Sequence, residues 1–429
     1  MQRVGGAVEA DIAGDAFLLE QGVQILWCRA VVIGPARREC TQEIGLELRR
    51  GGHAIDSALG AGGIARMAET LKVIGLMSGT SLDGVDAALL ETDGQEIARP
   101  GPSLTVPYTE QVRALLRGAL ETARSVPQGG SVPDSIHQAE RVLTEFHAGA
   151  VKSLREKAGA ADLIGFHGQT ILHRPDQGWT WQIGDGALLA RLTGVDVIND
   201  FRSADVAAGG QGAPLMPLYH AARARQLGQP EPLVVVNIGG VAQVTYIRGD
   251  TVLAFDTGPG NAPIDDWMQR HTGKPVDQDG TLAATGKVNE AALARMLDNI
   301  FFTRVPPKSL DRMDFGMEAV EGLSAADGAA TLTAFTAASL ARAAEHFPQE
   351  AKSWIVSGGG RHNRTLMAML KERVGAPVIA ADDMGWDGDA LEAEGFAYLA
   401  MRAKLGLPLS LPTTTGVAQP MTGGKSWKA

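Results

Sequence analysis

Cysteine is almost missing: Cys28 and Cys40 are the only two in 429 residues, and both precede the first segment that reads as a buried strand. The body of the protein therefore has no thiol chemistry. Long apolar runs are also missing. Nothing approaches the ~20 residues a membrane-spanning helix needs, and the most apolar early stretch, Ile25 to Gly34, is broken by Arg29. No basic stripe occurs and the net charge is −10, which argues against nucleic acid and anionic membrane as partners. The nine histidines show no close pair and no cysteine partner, so spacing gives no zinc site. What remains, 45% hydrophobic and 21% charged, predicts a cytoplasmic two-domain enzyme with room for two cores.

Glycine, in contrast, is plentiful, and it falls in three informative clusters. In the first, Ile74 to Asp86 reads Ile-Gly-Leu-Met-Ser-Gly-Thr-Ser-Leu-Asp-Gly-Val-Asp, an apolar strand, a Gly/Ser/Thr/Asp turn and a second apolar run. Gly75, Gly79 and Gly84 allow positive φ and close backbone approach, while Ser78, Thr80 and Ser81 offer donors to an anion. The chain resumes as a strand and lacks Gly-Lys-Ser/Thr, so this is neither a Walker loop nor a dinucleotide fingerprint. It resembles the phosphate hairpin of actin-like sugar kinases; an ordinary hairpin with a Gly/Asp turn is the alternative. Asp83 and Asp86 are candidates to hold Mg²⁺ through water, or simply to cap the turn. The second cluster, Pro232 to Thr245, repeats strand, Asn237-Ile238-Gly239-Gly240 turn and strand, as expected for a second lobe. The third, Ser353 to Asn363, ends a strand in Gly358, Gly359 and Gly360, which suits a flat adenosine against backbone.

Along the chain, residues 1–70 read as an N-terminal extension. Met67 is the expected native start, with the upstream segment an over-extended translation or else a regulatory arm; a native peptide from before Met67 would overturn the start. The expected first lobe is 71–206 plus 389–405 and the second is 207–388, with the active site in the cleft between them. Helical spacing is expected near Glu110 to Ala123, His137 to Ala158, Pro263 to Arg270, Asn289 to Leu297, Ala325 to Glu345 and Ala390 to Lys404. The Pro-, Thr- and Gly-rich tail, 406–429, is expected to be ill-ordered in part.

Several motifs together are similar to the anhydro-N-acetylmuramic acid kinase family over about Lys72 to Arg402. They are the hairpin, His167-Gly168-Gln169-Thr170, Gln182-Ile183-Gly184, Asp200-Phe201-Arg202, Gly209 to Leu215, Asn237 to Gly240, Phe255-Asp256-x-Gly258-Pro259-Gly260-Asn261 and Ser357 to Asn363. The resemblance implies a two-lobed actin-like (ribonuclease H-like) α/β fold. It further implies a cell-wall recycling enzyme that uses Mg-ATP and water to open the 1,6-anhydro ring and phosphorylate the 6-oxygen, and a possible homodimer.

Asp256, ending an apolar strand before the rigid Gly-Pro-Gly-Asn turn, is the expected base, with a turn-capping role as the alternative. Glu392 matches the family acid that orients water, although Glu394 is a close rival. The expected nucleotide contacts are Gly79, Thr80, Ser81, Leu82, Asp83, Gly84, Val85, Asp86, Asn237, Gly239, Gly240, Gly358, Gly359, Gly360 and Asn363. For the sugar they are His167, Gln169, Arg202, Gly258 and Asn261, Arg202 being suited to two oxygens of a carboxylate or phosphate. Many family members carry further arginines after that position, where this chain has Ser203 and Ala204. Two other functions fit the fold: an ordinary sugar or carboxylate kinase, and a non-catalytic nucleotide switch.

Overall fold

Two apolar runs, Leu71–Ser78 (β1) and Leu233–Ile238 (β7), become the central strands of two separate sheets. The computed structural model describes residues 69–429 apart from Thr80 and 311–314; the extension before Glu69, with its cysteines and the expected start at Met67, lies outside the described residues.

In the first sheet β1 pairs antiparallel with β2 (Gly84–Thr92), which pairs antiparallel with β3 (Ile97–Pro107). On its other side β1 pairs parallel with β4 (Leu163–Arg174), and β4 with β6 (Val197–Asn199). β5 (Trp179–Ile183) hairpins onto the far half of β4. The second sheet repeats the plan. β7, β8 (Val241–Arg248) and β9 (Thr251–Pro259) form an antiparallel meander, while β10 (Ser353–Ser357) and β11 (Val378–Ala380) extend it in parallel. Three antiparallel strands followed by two parallel ones, twice in one chain, is the duplicated actin-like arrangement expected from the sequence.

Among the described residues, seven helices have eleven residues or more: α1 (Glu110–Ala123), α2 (Asp134–Ala158), α3 (Pro217–Leu227), α4 (Ala262–Thr272), α5 (Ala325–Arg342), α6 (Arg364–Val374) and α7 (Leu391–Lys404). Side-chain caps start three of them, with Thr109, Ser324 and Asn363 accepting from the backbone of α1, α5 and α6. Strand alternation sorts the core. Leu233 and Val235 of β7 face an inner cluster with Tyr219 of α3 and Phe396 and Tyr398 of α7, whereas Val234 and Val236 face α5 and Trp354. No helix among the described residues is long and apolar enough to cross a membrane.

α7 lies directly on the first sheet because Gly75 and Gly165, paired across β1 and β4, present no side chain to it. A Cβ on Gly75 would sit 1.7 Å from the Ala393 carbonyl oxygen, and one on Gly165 2.2 Å from that of Phe396. This corrects the phosphate-side reading of Gly75: its missing side chain admits a helix. Gly84 likewise admits β3, its Cβ position being 2.4 Å from the Val106 carbonyl oxygen.

The tail also departs from expectation. Lys425–Trp427 forms β12, antiparallel to β6 at the edge of the first sheet, with the Trp427 indole donating to Asn199 (2.9 Å) and Lys428 paired with Asp196 (2.6 Å). Its order comes from partners some two hundred residues away, to which local composition is blind.

Candidate active site

Asp256 is near the end of β9, and that strand sets its environment. The carboxylate is 7% exposed, its Oδ2 accepting from the Leu310 N–H (2.8 Å), while the Asp256 N–H donates to the Lys308 carbonyl (3.0 Å). Burial raises its pKa to about 7, against the opposing pull of the Leu310 N–H and the Arg202 guanidinium. It shares a cavity of about 150 Å³ with Arg202, Glu392, Phe396, Gln243, Val241 and the segment Ala213 to Met216.

Glu392 reaches that cavity from the first turn of α7, and Asn237 at the end of β7 donates to its Oε1 (3.1 Å). Burial raises the Glu392 pKa and nearby Asp86 adds to this, opposed by Arg202 and Asn237. Glu394 points elsewhere: 2% exposed, it accepts from Tyr219 and lies 3.9 Å from Arg223 in the inner core.

Arg202 donates from Nη1 to the Gly212 carbonyl (2.7 Å) and from Nε to His167 Nε2 (3.1 Å). With Nε2 accepting, His167 Nδ1 is the protonated nitrogen and donates to the Gly168 carbonyl (2.8 Å). Burial and the guanidinium hold His167 neutral, its pKa well below the usual range. His167 and Gln169, expected to contact a sugar, are both buried and do not line this cavity. Gln169 is fully buried and accepts from Ser78 Oγ (2.6 Å), and Ser78 is in turn bonded to Tyr108 (2.7 Å). The Ser78 hydroxyl is thus used internally, not held free for an anion.

The first hairpin turns differently from the expected way. Gly75, Gly79 and Gly84 do not take positive φ; Leu82 does, at 57°, with its side chain in the core. Ser81 and Asp83 are exposed, Val85 is buried, and Asp86 accepts from Thr105 (2.6 Å); Thr80 lies outside the described residues. Burial raises the Asp86 pKa, Thr105 opposes it, and Asp389, Asp387 and Asp83 raise it further. A Cβ on Gly79 would meet nothing closer than Ser81 Oγ at 3.7 Å. Gly79→Val is therefore expected to leave thermal stability unchanged and to weaken nucleotide binding at least about tenfold by blocking anion approach to the backbone. Wild-type nucleotide affinity by calorimetry would return this segment to an ordinary hairpin.

The second-lobe glycine turns converge. The Gly239 carbonyl accepts from the Asn261 N–H (2.7 Å) and the Gly240 carbonyl from the Gly260 N–H (2.9 Å), while Asn261 Nδ2 donates to the Ile238 carbonyl (3.2 Å). Gly258 packs against α5, where a Cβ would be 2.7 Å from Ser339 Oγ. Gly358, at φ 74°, and Gly360 pack on the end of β7, where their Cβ positions lie 2.3 Å from Asn237 Oδ1 and 2.4 Å from Ile238 Cγ2. Gly239, Gly240 and Gly359 have no such crowding, which leaves their backbone approachable. Asn363 is occupied, capping α6 through the Leu366 N–H (2.9 Å). Sequence reasoning passed over Arg361, whose buried guanidinium binds the Gly358 carbonyl (3.1 Å), Asp382 (2.5 Å) and Asp389 (2.8 Å), tying the glycine turn to the approach to α7. Its signal was a basic residue directly after three glycines.

Among the described residues, no group of three or more acidic, histidine or cysteine side chains forms a metal cage. Asp83 is exposed and its charge acts on Asp86; Mg²⁺ takes few carboxylates and completes its shell with water and phosphate, so such a pair could hold it without a cage.

Residues 71–429 match the family described as anhydro-N-acetylmuramic acid kinase. A relative of that name from Rhizorhabdus wittichii is 54% identical over 357 residues, covering 82% of this chain and 97% of the relative. Another, from Paramagnetospirillum magneticum, is 54% identical over 360 residues, covering 82% and 98%. Among solved structures, a ROK family glucokinase from Streptomyces griseus in complex with glucose and AMPPNP is 15% identical, covering 77% of this chain and 99% of that one, at a TM-score of 0.36.

Proposed function

Because the chain belongs to the anhydro-N-acetylmuramic acid kinase family, we propose that it opens the 1,6-anhydro bridge of anhydro-N-acetylmuramic acid with water and transfers the γ-phosphoryl of ATP to the freed 6-oxygen. The products are N-acetylmuramic acid 6-phosphate and ADP. ATP as donor and a cell-wall sugar as acceptor place the enzyme in the cytoplasm, in peptidoglycan recycling. The observation that carries this reading is that Asp256, buried, and Glu392, half-buried, both raised in pKa, line one cavity beside Arg202.

Asp256 takes a proton from water as that water attacks the anomeric carbon; the bond from that carbon to O6 breaks, and O6 attacks the γ-phosphorus. Glu392, held by Asn237, orients the water. Arg202, held by His167 and Gly212, presents charge to the sugar's carboxylate. The backbone at Gly79, Gly239, Gly240 and Gly359 receives the nucleotide. Mg²⁺, held by Asp83 and Asp86, would neutralise phosphate charge.

ATP turnover with the anhydro sugar beside ordinary N-acetylmuramic acid tests this. Only the first should be phosphorylated efficiently; equal rates would make the protein an ordinary sugar kinase.

A further inference from the structure

Asp205 has no part in the chemistry above, yet it is only 2% exposed and its carboxylate gathers three donors, two of them from about two hundred residues away. They are the Gly212 N–H (2.7 Å), the Thr415 hydroxyl (2.6 Å) and the Ser410 hydroxyl. A second bond joins the same partners, the Gln211 N–H donating to the Thr415 carbonyl (2.7 Å). Gly210 leaves room for the carboxylate, since a Cβ there would lie 2.2 Å from Asp205 Oδ1. Gly212, at φ 66° and with a Cβ position 2.5 Å from Val206 Cγ2, admits no other residue without strain.

The loop so held is tied to both sides of the reaction cavity. The Gly212 carbonyl accepts from Arg202, and the next residues, Ala213 to Met216, line the cavity wall. Gln211 accepts from Ser309 (2.8 Å), the residue before Leu310, whose N–H holds Asp256. We propose that Asp205 is a positioning residue for the sugar end of the site, and that the C-terminal segment Ser410 to Thr415 is a working part of that site because it anchors the loop through Asp205. The proposal rests on the anhydro-sugar kinase reading above. The nucleotide turns share none of these bonds, so the effect of loosening the clamp should fall on the sugar.

Steady-state kinetics of full-length D205A, with each substrate varied in turn, tests the clamp. The sugar KM is expected to rise about tenfold or more while the ATP KM stays within about twofold, because a misplaced guanidinium weakens one ligand only. D205N should restore much of the loss. Its amide oxygen can accept from Gly212, and the two hydroxyls can reverse and accept from its NH₂. If D205A does not fold, S410A/T415V releases the C-terminal anchor while keeping Asp205 bonded to Gly212, and should raise the sugar KM about threefold or more. An unchanged sugar KM in a folded variant, or parallel rises for sugar and ATP, would overturn the clamp. A wild-type enzyme inactive on the anhydro sugar would overturn the functional reading instead.

Discussion

Asp256→Asn is expected to reduce turnover by at least about a hundredfold, within the range of about 10² to 10⁴ for loss of a general base, while nucleotide and sugar still bind. The substitution is nearly isosteric. An asparagine carbonyl can go on accepting from the Leu310 N–H, so β9 and the 308–310 segment keep their register. What is lost is the capacity to take a proton. A base with a pKa near 7 works only when deprotonated, so wild-type kcat/KM should climb as pH rises through about 7 and level off above it. The residual activity of the asparagine variant should lack that inflection. A loss of less than tenfold would leave Asp256 a structural acceptor for Leu310 and make Glu392 the leading base.

Gly75→Ala is expected to be the most destabilising single-methyl change in the body of the protein. The new Cβ would overlap the Ala393 carbonyl, a backbone atom that cannot swing aside, so α7 must lift off β1. Overpacking costs about 1 to 3 kcal/mol and occasionally more, and a 1.7 Å backbone contact belongs at the upper end. Glu392 opens the same helix, so turnover should fall with stability. Denaturant midpoints of Gly75→Ala and Gly79→Ala decide the point. The first should drop clearly and the second should match wild type; equal midpoints would refute the packing role assigned to Gly75.

Much of this protein could be read in its sequence, for local reasons. The two strand-turn-strand clusters and the strand ending in three glycines are contiguous patterns, and each becomes the strand and turn expected of it. Helices with strong apolar spacing appear within a few residues of their expected limits, α1 at Glu110–Ala123 among them. Asp256, Arg202 and Glu392 stood out because each belongs to a short motif, and the structure gathers all three around one cavity.

Where the sequence misled, the deciding contact was distant. Glu392 and Glu394 are equivalent by composition, yet residues two apart on an α-helix point about 200° apart, and only the packing of α7 shows which one meets the cleft. Glycine signals permission, not purpose: Gly75 and Gly84 serve a helix and a strand, whereas Gly79 faces open space. Ser78, Gln169 and His167 carry donors and acceptors that fit a ligand site, but their capacity is spent on one another and on Tyr108, Gly168 and Arg202. The sequence by itself determined the repeated strand pattern, the glycine turns and the family, since these are encoded by neighbours. The tertiary structure alone decided which polar groups face the cavity, and that the tail holds its wall through Asp205, because those bonds join residues about two hundred positions apart.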